Sequence, residues 1–324
     1  MRILFIGGTG EISFECVHEA ARRGHEVFVY NRGNTNEGLP ETTRFLRGSF
    51  EDDAQYSSLA KHHFDVVCQF RGFRPEHVER DLAVFAGHCG QYVFISTASA
   101  YEKTRRTPRI TDATPLDNPF WEYSRLKIEC ERLLRSQDVL PFTIVRPSHT
   151  YRRKMPSAVP GGPSRLLSGK PVIVHGDGES LWTITHARDF APPFVKLLGE
   201  SRAIGEAFHI MHEQSWTWNR IVDAMAVALK VDSYRVVHVA TETLVRYWPE
   251  WLGTLWGDKS RSVQFDTTKV KSIVGDFECS IDPWQGMRLV ASERMPRVDD
   301  LDPAMDALYD RISADVDRLG ASAG

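Results

Sequence analysis

The sequence predicts an α/β fold, a doubly wound parallel sheet with a smaller C-terminal lobe, and three observations predict it. The chain opens on an apolar run, Ile3-Leu4-Phe5-Ile6, that ends at once in Gly7-Gly8-Thr9-Gly10. Short apolar runs then alternate with helix-like segments through the first 150 residues. After that the alternation loosens, beginning at a turn-rich stretch that holds Pro156, Pro160, Gly161, Gly162 and Pro163. Strand, helix, strand in repetition is the mark of a parallel sheet with helices on both faces, the Rossmann type. Residues 1–150 are expected to form the nucleotide-binding domain and 151–324 a substrate-binding lobe interleaved with it.

The elements follow in order. Ile3–Ile6, Glu26–Tyr30, Val66–Phe70, Tyr92–Ser96 and Phe142–Val145 are short, apolar and rich in β-branched or aromatic residues, and they read as strands. Phe14–Arg23, Pro75–Gly87 and Tyr123–Arg135 carry helical periodicity between them. Later, Trp216–Lys230 and Pro303–Leu319 read as amphipathic helices.

Composition narrows the function classes. The 324 residues include 40 Lys plus Arg against 43 Asp plus Glu, a formal net charge of −3. That balance argues against a general nucleic-acid binder, which carries a cationic surplus. The 42% of hydrophobic residues excludes a disordered chain. No apolar stretch approaches the ~18 residues of a membrane span, so no membrane role is expected. The five cysteines are scattered and form no C-x-x-C pair, so they read as reduced thiols of a cytoplasmic protein. The twelve histidines show no ligand spacing, and no metal is expected.

The glycines after the first strand sit where a helix begins. Small residues there let the chain turn tightly and bring backbone N–H groups close to a pyrophosphate, with the helix N-terminus facing its charge. Ser13 stands where a third glycine is usual. The second strand ends in Tyr30-Asn31-Arg32-Gly33. A carboxylate at that point reads the ribose 2′-hydroxyl of NAD, whereas a neutral residue beside an Arg tolerates the 2′-phosphate of NADP. Asn31-Arg32 leaves both open, with NAD slightly favoured.

Tyr123 and Lys127 are spaced i and i+4, on one face of a helix. A phenol with an ordinary pKa near 10 is a weak base, but a neighbouring ammonium favours its phenolate. Such a pair can take a hydroxyl proton while a hydride leaves the same carbon. The strand at Gln91–Ser96 runs into Thr97-Ala98-Ser99-Ala100-Tyr101, and the strand at Phe142–Val145 runs into Arg146-Pro147. Both endings fall at the carboxyl edge of the sheet, where ligands of such folds bind.

The order G-x-x-G, S-T-A-S-A-Y, Y-x-x-x-K and R-P resembles the extended short-chain dehydrogenase/reductases. Within them it is similar to the NAD-dependent epimerase/dehydratase family of the UDP-galactose 4-epimerase type. The ending Asn31-Arg32-Gly33 is similar to an atypical branch that includes chloroplast RNA-binding relatives, and Gly176-Asp177-Gly178 followed by Asp189 resembles the family's second-lobe segment. The resemblance implies that Tyr123 is the catalytic base, that Lys127 holds the nicotinamide ribose, and that Thr97 bonds the reacting oxygen. It places Gly7, Gly10 and Ile12 along the pyrophosphate, Asn31 and Arg32 at the adenosine end, and Phe70, Arg71, Gly72, Ser96 and Pro147 beside the cofactor. Ser99, His149, Trp182 and His186 fall to the substrate side, with Thr97.

Two departures bear on the substrate. His149 stands where the family often has Asn, and Trp182 where it often has an Arg that grips phosphate. Trp can stack on a sugar face but cannot neutralise phosphate. A basic run, Arg146 to Lys154, is expected beside the substrate and offers substitute charge. Thr97 is followed by Ala98 and Ser99 rather than the acid pair of dehydratases, which favours epimerisation or simple redox chemistry. The implied activity is transient 4-keto-type oxidation of a sugar or nucleotide sugar by hydride transfer. A net NADPH-dependent reductase of a small carbonyl compound stands as the alternative, and a non-catalytic RNA-binding relative as a third reading. The family also implies a homodimer.

Overall fold

The structure, a computed structural model, describes residues 1–103 and 109–322. In chain order the elements are β1 (Arg2–Ile6), α1 (Ser13–Arg22), β2 (Glu26–Asn31), β3 (Arg44–Arg47), α2 (Asp53–Ser57), β4 (Phe64–Gln69), α3 (Pro75–Phe85), β5 (Cys89–Ile95) and β6 (Arg109–Ile110). Then come α4 (Glu122–Arg135), β7 (Phe142–Arg146), β8 (His149–Tyr151), α5 (Gly162–Leu167), β9 (Val172–His175), β10 (Leu181–Trp182), β11 (Ile184–His186), α6 (Ala187–Leu197), β12 (Ala207–His209) and α7 (Trp218–Leu229).

Seven of the strands form one sheet in the order β12-β7-β5-β4-β1-β2-β3, and every pairing in it is parallel. The expected doubly wound sheet is therefore present. It gains β12, which the sequence pattern did not announce and which is only three residues long, and β3, which no apolar run marks because it is largely exposed at one edge and ends just before Gly48. Alternation along each strand divides the core. Ile3, Phe5, Val29 and Val93 face α1 and α6 through Val17, Phe190 and Phe194. Leu4, Ile6, Tyr92 and Ile144 face α3 and α4 through Val78, Phe85 and Leu134. Each such side chain contributes about 1.5–3 kcal/mol of burial free energy, which fixes the register that brings all strand ends to one edge.

A further core surrounds Trp218, Ile221 and Met225 of α7 and takes in Ala98, Tyr101 and Ile110 from the first 150 residues. The strands of the second lobe pair in twos: β8 runs parallel to β11, and β10 lies antiparallel to Trp216–Thr217. The helix expected over Trp216–Lys230 thus begins two residues later, after that short strand, with Thr217 as its cap. Lys230 ends it at φ 58. The C-terminal helix runs Pro303–Ser322. Among the described residues, no helix is long and apolar enough to cross a membrane, and all five cysteines are buried and free.

Candidate active site

The turn after β1 has the shape a pyrophosphate needs. Gly7 has φ +99°, and a Cβ there would lie 2.9 Å from the Cγ of Arg71. At Gly8 a Cβ would lie 2.8 Å from Val29 Cγ2. Neither position admits a side chain. Ser13, in place of the third glycine, accepts a hydrogen bond from the Gly10 amide at 2.9 Å and so braces the turn. No side chain caps α1, so its first-turn amides, apart from that of Phe14, which donates to the Gly10 carbonyl, are open to an anion. These features fit a dinucleotide.

At the adenosine end a cavity is lined by Asn31, Arg32, Phe50, Glu51 and Arg71, among others. The Asn31 side chain is committed locally: its Nδ2 donates to Asn36 Oδ1 at 2.6 Å and its Oδ1 accepts from the Gly33 amide at 2.8 Å. Arg32 is exposed. The Arg71 guanidinium lies over the Phe50 ring and 3.3 Å from Glu51, while its Nε is buried without a partner. A buried donor of that kind is a place for a ligand acceptor.

A second cavity continues from the turn to the strand ends. Gly7, Gly10, Ile12, Phe70, Arg71, Ser96, Thr97, Tyr123, Lys127, Pro147 and His149 all line it. The structure therefore brings the predicted trio to one place. Thr97 caps the short 3₁₀ turn Ala98–Ala100 by accepting from the Ser99 amide at 3.1 Å. A hydroxyl chain continues from Thr97 to Ser99 at 2.9 Å and from Ser99 to Ser124 at 2.7 Å. Desolvation pushes the Tyr123 phenol up to about 12, against the pull of a Thr97 hydrogen bond. Lys127 donates to the carbonyls of Gly72 and Ile95, each at 2.6 Å. Burial brings its ammonium down to about 8, with Cys130 and Glu131 pulling the other way. Two of its three protons are used, and one is left for a ribose hydroxyl. Gly72 does not line the cavity; it reaches the site through that carbonyl.

A third cavity adjoins on the substrate side, lined by Thr97, Ser99, Trp121, Tyr123, His149, Trp182 and Asp258, among others. Trp182 is buried and stacks on Trp218 with ring centroids 5.6 Å apart. His149 also borders a larger cavity of about 580 Å³ that reaches Arg153, Lys154 and Lys259. Burial, with the Lys259 charge, brings the His149 imidazole down to about 3, so it is neutral at physiological pH and cannot deliver a proton as imidazolium.

Two expectations fail here. His186 is fully buried away from these cavities, and its Nδ1 accepts from the Arg188 amide as the cap of α6. It faces Tyr151 edge-on, and burial brings it down to about 4. Its position just before a helix made a cap the cheaper use of the side chain. The basic run beside the substrate is also mostly spent. Arg146 is buried against Glu131, with its Nε 2.8 Å from Oε1, and donates to Tyr101. Arg152 is ion-paired to Glu15 and Glu293 and lies 3.6 Å over the Phe14 ring. Of the four Arg and Lys side chains of the run, only Arg153 and Lys154 line the large cavity.

The sequence reading missed Glu11, Glu51, Asp258 and Lys259, all of which line these cavities. Glu11 lies inside the glycine turn, and its carboxylate accepts from the amides of Arg152 and Arg153 at 2.9 and 2.8 Å, tying the turn to the loop after β8. No motif marks the other three.

Fold and site together define a dinucleotide-dependent enzyme of the short-chain dehydrogenase/reductase kind. The sequence pattern of the NAD dependent epimerase/dehydratase family matches residues 3–210, and the chain belongs to that family. Among curated proteins it is 29% identical over 252 residues to the chloroplast stem-loop binding protein of 41 kDa b from Arabidopsis thaliana, covering 73% of this chain and 65% of that protein. It is 26% identical over 243 residues to 2'-dehydrokanamycin reductase from Streptomyces kanamyceticus, covering 71% of this chain and 67% of that one. The match thus spans about two thirds of these relatives' length. Among solved structures, UDP-glucuronic acid 4-epimerase from Bacillus cereus, in complex with UDP-glucuronic acid and NAD, superposes with a TM-score of 0.73 at 17% identity, covering 90% of this chain and 98% of that one. UDP-glucose 4-epimerase from Thermotoga maritima gives 0.70 at 18% identity, covering 90% and 98%.

Proposed function

We propose that the chain moves a hydride between NAD and a hydroxyl-bearing carbon of a sugar or nucleotide sugar, with Tyr123, Lys127 and Thr97 as the working residues. The observation that carries this reading is their convergence on one cavity continuous with the glycine turn. Bound NAD supplies the hydride acceptor. Thr97 hydrogen-bonds the substrate oxygen, and Tyr123 takes the hydroxyl proton as the carbon is oxidised. Lys127 favours the phenolate through its charge and holds a cofactor ribose with its free proton. Hydride given back to the opposite face of the ketone by the bound cofactor would yield an epimer. Epimerase relatives of the fold support a nucleotide sugar. A cytoplasmic homodimer completes the reading.

One observation favours a second reading. A Tyr123 phenol held up near 12 is already a proton donor, which suits net reduction of a carbonyl. The similarity to a reductase points the same way. Native mass spectrometry of the purified protein separates the two. NAD retained through dialysis supports the epimerase reading; cofactor lost on dialysis, with NADPH consumed in turnover, supports the reductase. Protein that binds neither dinucleotide contradicts both.

A further inference from the structure

A buried carboxylate shares the substrate-side cavity with the reacting residues. Asp258 is 8% exposed, and it lines the same walls as Thr97, Ser99 and Tyr123. It sits on a π-helical turn, Leu255–Lys259, a rare geometry that recurs at functional sites. The turn is anchored to the catalytic loop. Asn118, itself buried, donates through Nδ2 to the Ser99 carbonyl at 2.7 Å and to the Gly257 carbonyl at 2.8 Å. Gly253 and Gly257 pack so close to Trp121 that a Cβ would lie 2.3 Å from Trp121 Cδ1 and 3.1 Å from its Cβ. The carboxylate is thus held in register with the hydroxyl chain that begins at Thr97.

Its charge is balanced from behind. Lys103 forms a buried ion pair with Asp258 and lies 5.2 Å from the centre of the Trp182 ring. Lys103 lines a different cavity, with Asp117, Asn118 and Arg261 among others. Retaining such a pair has no clear gain in stability, because desolvating two charges offsets most of their attraction. What the geometry does provide is acceptor capacity: a carboxylate set against an ammonium keeps lone pairs to offer a ligand in the cavity it lines. The ligand group that meets it must donate.

We propose that Asp258 is a specificity-determining residue that accepts hydrogen bonds from hydroxyl or ammonium groups flanking the reacting carbon, and that it rejects sugars carrying a carboxylate there. This rests on the sugar reading above and narrows it to neutral polyols and amino sugars, against uronic acids. A uronate would leave Asp258 facing a second acceptor in a desolvated site, whereas a hydroxyl satisfies it.

The test titrates NAD-loaded protein by calorimetry with UDP-glucose, UDP-glucuronic acid, glucosamine and glucuronate. UDP-glucose should bind about tenfold or more tighter than UDP-glucuronic acid, and glucosamine tighter than glucuronate by a similar factor, the range expected when a buried polar group loses its partner. Asp258→Asn should bring each ratio within about threefold while leaving NAD affinity unchanged. Because that variant strands Lys103, the neutral double variant Asp258→Asn with Lys103→Gln is measured beside it and should show the same lost discrimination. Equal or tighter binding of the uronates by the unaltered protein overturns the proposal and leaves the sugar reading standing. Discrimination that survives in a folded double variant also overturns it. Binding of none of the four overturns this proposal together with the nucleotide-sugar reading on which it rests.

Discussion

Lys127 Nζ lies 2.6 Å from the carbonyl oxygen of Gly72, so the residue that should hold the cofactor ribose also holds the loop that runs beside it. The second bond, to Ile95 at 2.6 Å, ties the same ammonium to the end of β5. Lys127→Met should therefore weaken NAD binding by about 2 kcal/mol, roughly thirtyfold, the worth of a charge-assisted bond. Calorimetric titration checks this, and an unchanged affinity would remove Lys127 from the cofactor site. The pH dependence has a definite sign. With the ammonium brought from 10.5 down to about 8 in the folded protein, NAD affinity should fall as pH rises through 8. Stability of the cofactor-free protein should rise over that same window through this group, because only the unfolded chain still binds the proton there.

Arg146 and Glu131 form a buried bidentate pair, and Ser96 donates to the same carboxylate. Removing one partner strands the other charge in a dry site. Arg146→Met should destabilise the fold by about 3–5 kcal/mol, read as a shift of the urea midpoint. A loss of substrate affinity without a loss of stability would return Arg146 to the site.

Asp81 offers a second test of the buried polar groups. Its carboxyl accepts from Tyr56, Tyr92 and Gln69, and Gln69 in turn accepts from the Arg71 amide at 2.8 Å. Burial raises this carboxyl from 3.8 to about 6. A raised carboxyl contributes stability at low pH that is lost as pH climbs through its folded value, so stability from Asp81 should decline between about pH 4 and 6. Asp81→Asn should flatten that segment of the curve of unfolding midpoint against pH. An unchanged slope would contradict the shift.

Arg32 is exposed at the adenosine cavity while Asn31 is tied into its own turn. Arg32→Ala should leave NAD affinity within about twofold and weaken NADP by about tenfold, as expected for one lost charged contact to a phosphate. Parallel titrations with the two dinucleotides decide it.

How much of this could be read from the chain depends on how local each signal is. The glycine turn, the Tyr123–Lys127 spacing and the Thr97 loop are contiguous in sequence, so their backbone requirements show as residue types at short intervals. Strand β12 did not show, because three residues carry no period. Asp258 did not show either, since its role depends on a π-helical turn and on Asn118, more than a hundred residues earlier. His186 and Arg146 misled for the converse reason. Their positions at the ends of strands matched a ligand edge, while the partners that claim them, the Arg188 amide and Glu131, are set by helix capping and core packing.

In the proposed reaction Tyr123 exchanges the proton of a redox step carried out on NAD bound at the glycine turn. The most direct measurement compares the unaltered protein with Tyr123→Phe for NAD affinity and for turnover on a panel of nucleotide sugars and their ketones. In Tyr123→Phe, NAD binding should stay within about threefold and turnover should fall by about 10²–10⁴-fold, the contribution of a positioned proton carrier. Turnover unchanged in Tyr123→Phe would contradict it.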